Sequence, residues 1–173
     1  YVIFVGDNGT DKPAVTPPFD PDKAKKTIYE GGINVPLIIS GPGVVAGAET
    51  AGLVSTCDLF ATIADMTGES VPMPSDSVSM FPYLSDPGQP SIRDWVFAEI
   101  YEDNGWGPYS RFERTARDEQ YKLMRFYTPY DTTSHTEEFY DLVADPFEET
   151  DLLLGGPLPL EAEESYERLT RVL

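Results

Sequence analysis

Two continuous apolar runs sit near the start of the chain. Tyr1-Val2-Ile3-Phe4-Val5 has no polar position, which is the pattern of a strand covered on both faces. Val35-Pro36-Leu37-Ile38-Ile39-Ser40 repeats it. Each run ends in turn chemistry, Gly6-Asp7-Asn8-Gly9 after the first and Gly41-Pro42-Gly43 after the second. Between them lies a polar loop carrying Pro13, Pro17, Pro18 and Pro21. Over residues 56–68 the period changes: apolar residues at Leu59, Phe60, Ile63, Ala64 and Met66 share one helical face, with Asp58 near the start and Gly68 just past the end as caps. Strand, loop, strand, helix is the order of an α/β layer.

The pattern changes again after a stretch at 69–92 rich in Pro, Ser and Met. Three runs, Trp95 to Tyr101, Tyr121 to Tyr127 and Glu138 to Leu142, mix aromatic and β-branched residues with polar ones at short spacing. They predict a small antiparallel sheet. At the end, Leu160, Tyr166, Leu169 and Val172 recur at helical spacing among glutamates, so a terminal amphipathic helix is expected to pack on that sheet. The fold class predicted is α/β, divided into an α/β portion over residues 1–85 and an antiparallel-sheet subdomain with a terminal helix over 86–173.

The chain's 173 residues are enough for a core that buries roughly two thirds of the unfolded surface. The opening run implies a longer protein, because a strand apolar on both faces needs neighbours and the chain does not start at methionine. The formal charge is −18. Residues 1–90 hold four lysines, no arginine and eleven acidic residues, and the rest of the chain is more acidic still. Such a surface repels nucleic acid and anionic membranes, and no segment reaches the ~20 apolar residues of a membrane span. The single cysteine, Cys57, excludes an internal disulfide framework and reads as a small core residue. The single histidine, His135, reads as part of an exposed polar loop. With one of each, and the histidine in a polar loop, neither a zinc cage nor a Ser-His-Asp triad is convincingly assembled from this chain alone.

Two features carry chemistry. Asp7-Asn8, at the carboxyl end of a strand, pairs a carboxylate with an amide oxygen, both hard ligands suited to Ca²⁺ or Mg²⁺; Asp-Asn-Gly is also an ordinary turn. Lys23-Ala24-Lys25-Lys26 concentrates cations in an acidic chain just before Tyr29-Glu30-Gly31-Gly32, where a backbone without side chains permits close approach. That is either an anion cradle or a solvated loop balancing Asp20 and Asp22. Convergence of the two would suit sulfuryl or phosphoryl transfer, where most of the work is stabilising charge on oxygen.

The spacing of Val2-Ile3-Phe4-Val5-Gly6-Asp7-Asn8-Gly9 followed by Lys25-Lys26-Thr27-Ile28-Tyr29-Glu30-Gly31-Gly32-Ile33-Asn34-Val35-Pro36 closely resembles the second half of the sulfatase catalytic domain, in the alkaline-phosphatase-like superfamily. There a strand ending in Ser-Asp-Asn-Gly supplies two metal ligands, and a Lys-Gly-x-x-Tyr-Glu-Gly-Gly-x-Arg-x-Pro segment supplies a lysine on the substrate sulfate. The likeness continues through Gly41-Pro42-Gly43, the helix at 55–68, and Arg114-Thr115-Ala116-Arg117, Tyr121-Lys122-Leu123 and Glu138 to Pro146, which resemble the family's C-terminal antiparallel sheet.

The resemblance implies that Asp7 and Asn8 bind a divalent metal, usually Ca²⁺ with Mg²⁺ as the other candidate, and that Lys25 is the catalytic, sulfate-contacting lysine. Tyr29 to Gly32 would shape the loop. Gly6 replaces the usual Ser or Thr, Lys26 stands at the usual glycine, and Asn34 replaces an arginine. The Cys/Ser-x-Pro-x-Arg segment that becomes the formylglycine nucleophile is not in these residues. The expected whole is therefore a sulfuric ester hydrolase acting on a small-molecule or carbohydrate sulfate ester, periplasmic or secreted with a cytoplasmic location as the alternative, with nucleophile and remaining ligands from an N-terminal part; the 173 residues alone are expected to be inactive. The alternatives are a phosphoester or phosphonate hydrolase of the same superfamily and a noncatalytic cation-binding homologue. The loop from Trp106 to Tyr109 is a candidate for substrate contact.

Overall fold

The computed structural model describes residues 1–70, 72, 76–103 and 107–173. They form two compact units, each built from two stretches of chain: residues 1–5 with 37–96, and residues 6–36 with 97–173. The spatial grouping thus differs from a linear division at 85/86, because the Asp7 to Pro36 segment belongs with the C-terminal sheet.

In the first unit, β1 (Val2–Val5) pairs antiparallel with β2 (Leu37–Ser40), with Phe4 opposite Ile38. The expectation that both runs are buried strands is corrected here: Val2, Phe4 and Ile38 are 71%, 57% and 62% exposed. Side chains alternate across a strand, so these three share one face, and no described residue of the chain covers it. The first helix, α1 (Glu30–Ile33), falls in the other unit; here helix α2 (Asp58–Thr67) buries Ala61, Thr62 and Ala64 and ends at Gly68 in the left-handed conformation, φ 70°. The Asp58 carboxylate is buried, accepts the amides of Ser55 and Val78, and is paired with Arg93. Cys57, expected in the core, is exposed: it precedes the helix, outside its apolar face. A short helix α3 (Phe81–Ser85) buries Tyr83.

The second unit contains a four-stranded sheet in the order β3 (Val96–Glu102), β4 (Arg111–Arg117), β5 (Tyr121–Tyr127), β6 (His135–Asp141). Both β4 with β5 and β5 with β6 pair antiparallel. His135, expected in a loop, is exposed but opens β6. Residue parity along β5 assigns the two faces. Tyr121 and Leu123 join Ala116, Phe139, Ala162 and Leu169 in a core roofed by α4 (Leu160–Val172). Met124 faces the other way, with Ile28, Tyr140 and Leu142, under the 24–36 segment. Lys122 has the parity of Met124, so it too lies beneath that segment.

Candidate functional site

Backbone alone brings the two sequence motifs together. Gly6 N–H donates to the Pro36 carbonyl at 2.9 Å, Gly9 N–H to Gly32 at 3.1 Å, and Lys25 N–H to Thr10 at 3.0 Å. The approach is possible because three glycines meet there. A Cβ on Gly9 would lie 2.0 Å from the Gly31 oxygen, one on Gly31 would lie 2.4 Å from the Lys23 oxygen, and one on Gly32 would lie 2.2 Å from that of Thr27. Any side chain would force the strands of this clasp apart. Asp7 and Asn8 stand exposed at its edge.

The three lysines of the cation cluster separate. Lys23 donates to the Glu148 carbonyl and lies over the rings of Tyr29 and Tyr140, 5.1 and 5.5 Å from their centroids. It therefore serves packing. Lys25 keeps its side chain about a third exposed, with Nζ 3.7 Å from Asp11 Oδ1. Lys26 is exposed and holds φ at 71°, in the left-handed region. Asp22, which the sequence sets against this cluster, pairs instead with Lys12 at 2.8 Å. Of the three, Lys25 combines partial exposure with a backbone tie to the Asp-Asn-Gly turn.

Beneath the clasp is an ionic network that sequence reasoning missed. The fully buried Lys122 Nζ lies 2.9 Å from Glu30 Oε1 and 2.7 Å from Glu148 Oε1. Arg117 bonds the other Glu30 oxygen at 2.9 Å, and Asn34 donates to it at 3.0 Å. Glu148 Oε2 accepts the Glu30 amide at 2.8 Å. So Asn34 reaches Glu30 with its amide, while Arg117 and Lys122 supply the cations. Burial pushes the Glu30 carboxyl up, but Lys122 and Arg117 outweigh it and hold the group below its ordinary value. For Glu148 burial wins over Lys122, and the carboxyl is raised. Nearby, the Tyr29 and Tyr140 hydroxyls both donate to Glu138 Oε2, at 2.7 and 2.8 Å; burial first, and Glu138 second, push both phenols up. The available sequence signal was Lys122 itself, the one lysine after residue 90, set in an apolar strand.

Chemically, the turn offers the Asp7 carboxylate and the Asn8 amide oxygen, and the loop tied to it by backbone carries Lys25 with Asp11 at its ammonium. A calcium ion takes 6–8 oxygens, and among the described residues no group of three or more His, Cys, Asp or Glu is placed to hold a metal. By donor type, Asp7 and Asn8 could supply two of those oxygens. Trp106 lies outside the described residues; the Tyr109 ring packs against those of Tyr101 and Phe112, tilted by 43° to each.

Comparison with known proteins agrees with this arrangement. Residues 22–158 match the family "N-sulphoglucosamine sulphohydrolase, C-terminal". The chain is 26% identical to Arylsulfatase K of Xenopus laevis over 184 residues, covering 100% of the chain and 31% of that protein. It is 32% identical to a sulfatase of Formosa agariphila over 169 residues, covering 90% and 29%. A protein solved in complex with its substrate D-glucosamine-2-N,6-O-disulfate superimposes with a TM-score of 0.76 at 22% identity, over 98% of this chain and 33% of that one. The chain therefore spans about a third of the relatives it matches. The match over residues 22–158 leads to one assignment: the chain belongs to the sulfatase family, whose C-terminal domain it carries.

Proposed function

We propose that this chain is part of an enzyme that hydrolyses sulfate esters, with Asp7 and Asn8 holding a divalent cation and Lys25 contacting the sulfate. The observation that carries the reading is the glycine clasp. It ties the turn that follows Asp7 and Asn8 to the Lys25 backbone and to Gly32, which supports the reading that ligands and lysine act together. A cation bound there, Ca²⁺ or Mg²⁺, would supply positive charge to sulfate oxygens. The Lys25 ammonium neutralises charge that grows on the sulfate and its leaving oxygen as the ester breaks. A lysine preset for this role acts without reorganisation when the charge develops. The nucleophile, a formylglycine in the family this chain resembles, and the remaining ligands come from an N-terminal part; the 173 residues alone are inactive on this reading.

In the full-length protein, Lys25→Ala is expected to lower turnover of an aryl sulfate by at least ~100-fold, the scale of one preorganised charge contact. Near-normal turnover would remove the role from Lys25. Running the same assay with a phosphate monoester and a phosphonate monoester separates the sulfatase from its superfamily alternatives, since a preference for either would reassign the reaction.

A further inference from the structure

We propose that the cavity beside Asn8 receives the part of the substrate beyond its sulfate, and that this part is an uncharged sugar ring; the inference rests on the sulfate-ester reading above. The cavity measures about 550 Å³ and lies wholly within the unit formed by residues 6–36 and 97–173. That volume suits a sugar-sized ligand. Asn8 and Thr10 line it, which makes it continuous with the proposed cation and sulfate edge. Phe19 and Phe147 also line it and meet edge to face, with centroids 5.2 Å apart at 82°. Phe147 thereby holds Phe19, whose ring stays 58% exposed and open to an occupant. An open aromatic face beside hydroxyl and amide groups matches a pyranose, which presents C–H bonds on its face and hydroxyls at its edge.

Charge selects among sugars. Four carboxylates line the cavity; Glu30 and Glu148 are already paired with Lys122 and Arg117, which leaves Asp20 and Glu119 to set its charge, and the two lining cations are Lys23 and Arg117. Both cations are already engaged within the protein. Lys23 serves the Glu148 carbonyl, and Arg117 bonds Glu30 at 2.9 Å and the Asp118 carbonyl at 3.2 Å. A uronate or a second sulfate placed here would meet like charge, on a chain whose formal charge is −18, without a cation of the lining to receive it. Rejection of that kind makes the site specific.

The test uses the full-length protein and three substrates: a small aryl sulfate, a singly sulfated neutral sugar, and the same sulfated sugar linked to a uronate. The neutral sugar sulfate is expected to have a KM at least about tenfold below that of the uronate-linked one, the scale of one unfavourable charge contact. Phe19→Ala should raise the neutral sugar's KM about three- to tenfold, as for loss of one aromatic contact, with kcat little changed and a smaller effect on the aryl sulfate. Glu119→Lys, on the exposed rim, should lower the KM of the uronate-linked substrate. Equal KM for the two sugars, or an equal Phe19→Ala effect on all three substrates, overturns the inference and leaves the sulfate-ester reading standing. Absence of turnover with every sulfate ester, while a phosphate or phosphonate ester is hydrolysed, overturns both.

Discussion

Lys26 pays a conformational cost for being a lysine. Its φ of 71° is the left-handed region, which costs an ordinary residue roughly 1–2 kcal/mol and a glycine almost nothing. The resembling family motif has glycine at this position, so the geometry of the loop is retained while the residue that suits it has gone. Lys26→Gly is expected to stabilise the chain by about 0.5–1 kcal/mol, after allowing for the greater freedom glycine gives the unfolded state. A shift of the urea midpoint to higher concentration checks this; an unchanged or lower midpoint would mean that the exposed lysine has a compensating contact. Glu148 is also left-handed, at φ 58°, yet its carboxylate, carbonyl and position are all used: it binds Lys122, accepts the Glu30 amide and holds Lys23. The same backbone strain is thus compensated at one residue and not visibly so at the other.

At the scale of elements, strand β5 bolts the 24–36 segment to the sheet through one buried amine. Removing that amine leaves Glu30 and Glu148 facing each other at low solvent access. Breaking a buried ion pair from one side costs about 3–5 kcal/mol, so Lys122→Met should lose stability on that scale. Lys122→Met combined with Glu148→Gln should recover a measurable fraction, because the pair no longer strands a charge. Independent, additive losses in urea titrations would argue against the network. Much at this level was legible in the sequence. Strand alternation from Tyr121 to Tyr127 gave the sheet, leucine spacing gave α4, and Gly68 gave the end of α2. The shared spacing from Asp7 to Pro36 carried the family resemblance, on which the half-site remains a proposal. Burial was not legible: the run Val2 to Val5 looks identical whether or not a neighbour covers it, and in this chain Val2 and Phe4 are exposed. The Lys122 network was hidden for a different reason. Its members are separated by up to 118 positions, and only the packing of residues 6–36 on the sheet makes a lysine between apolar strand positions meaningful.

For the molecule as a whole, the titrating carboxylates set opposing responses to acid. Glu30, Asp58, Asp118 and Glu137 are held below their ordinary values: burial opposes this in each, and Lys122, Arg93, Ser165 and Tyr166 lead the groups that overcome it. Their stabilisation is complete above the ordinary carboxylate range, about pH 4, and is lost as pH falls through the lowered values. Glu148 runs the other way. Its raised value means that its contribution is present at low pH and is lost as pH rises through that value. Stability is therefore expected to peak on the acid side of neutrality, and Glu148→Gln should flatten the fall between that peak and neutral pH; denaturant titrations across pH 4–8 would reveal either shape. The glycine clasp has a last consequence, for how such a protein can change over generations. Because Thr10 and Lys25 are tied to each other and Gly9 is tied to Gly32, the chain between Thr10 and Lys25 is a bulb on a closed stem. Its outer residues, Phe19 and Asp20 among them, can be lengthened, shortened or exchanged while Lys23 and Ala24 stay packed, without shifting Asp7, Asn8 or Lys25, since loop closure grows costlier only slowly with length. On the proposed function, what the protein accepts and how it breaks the bond would be, in this region, separately inheritable.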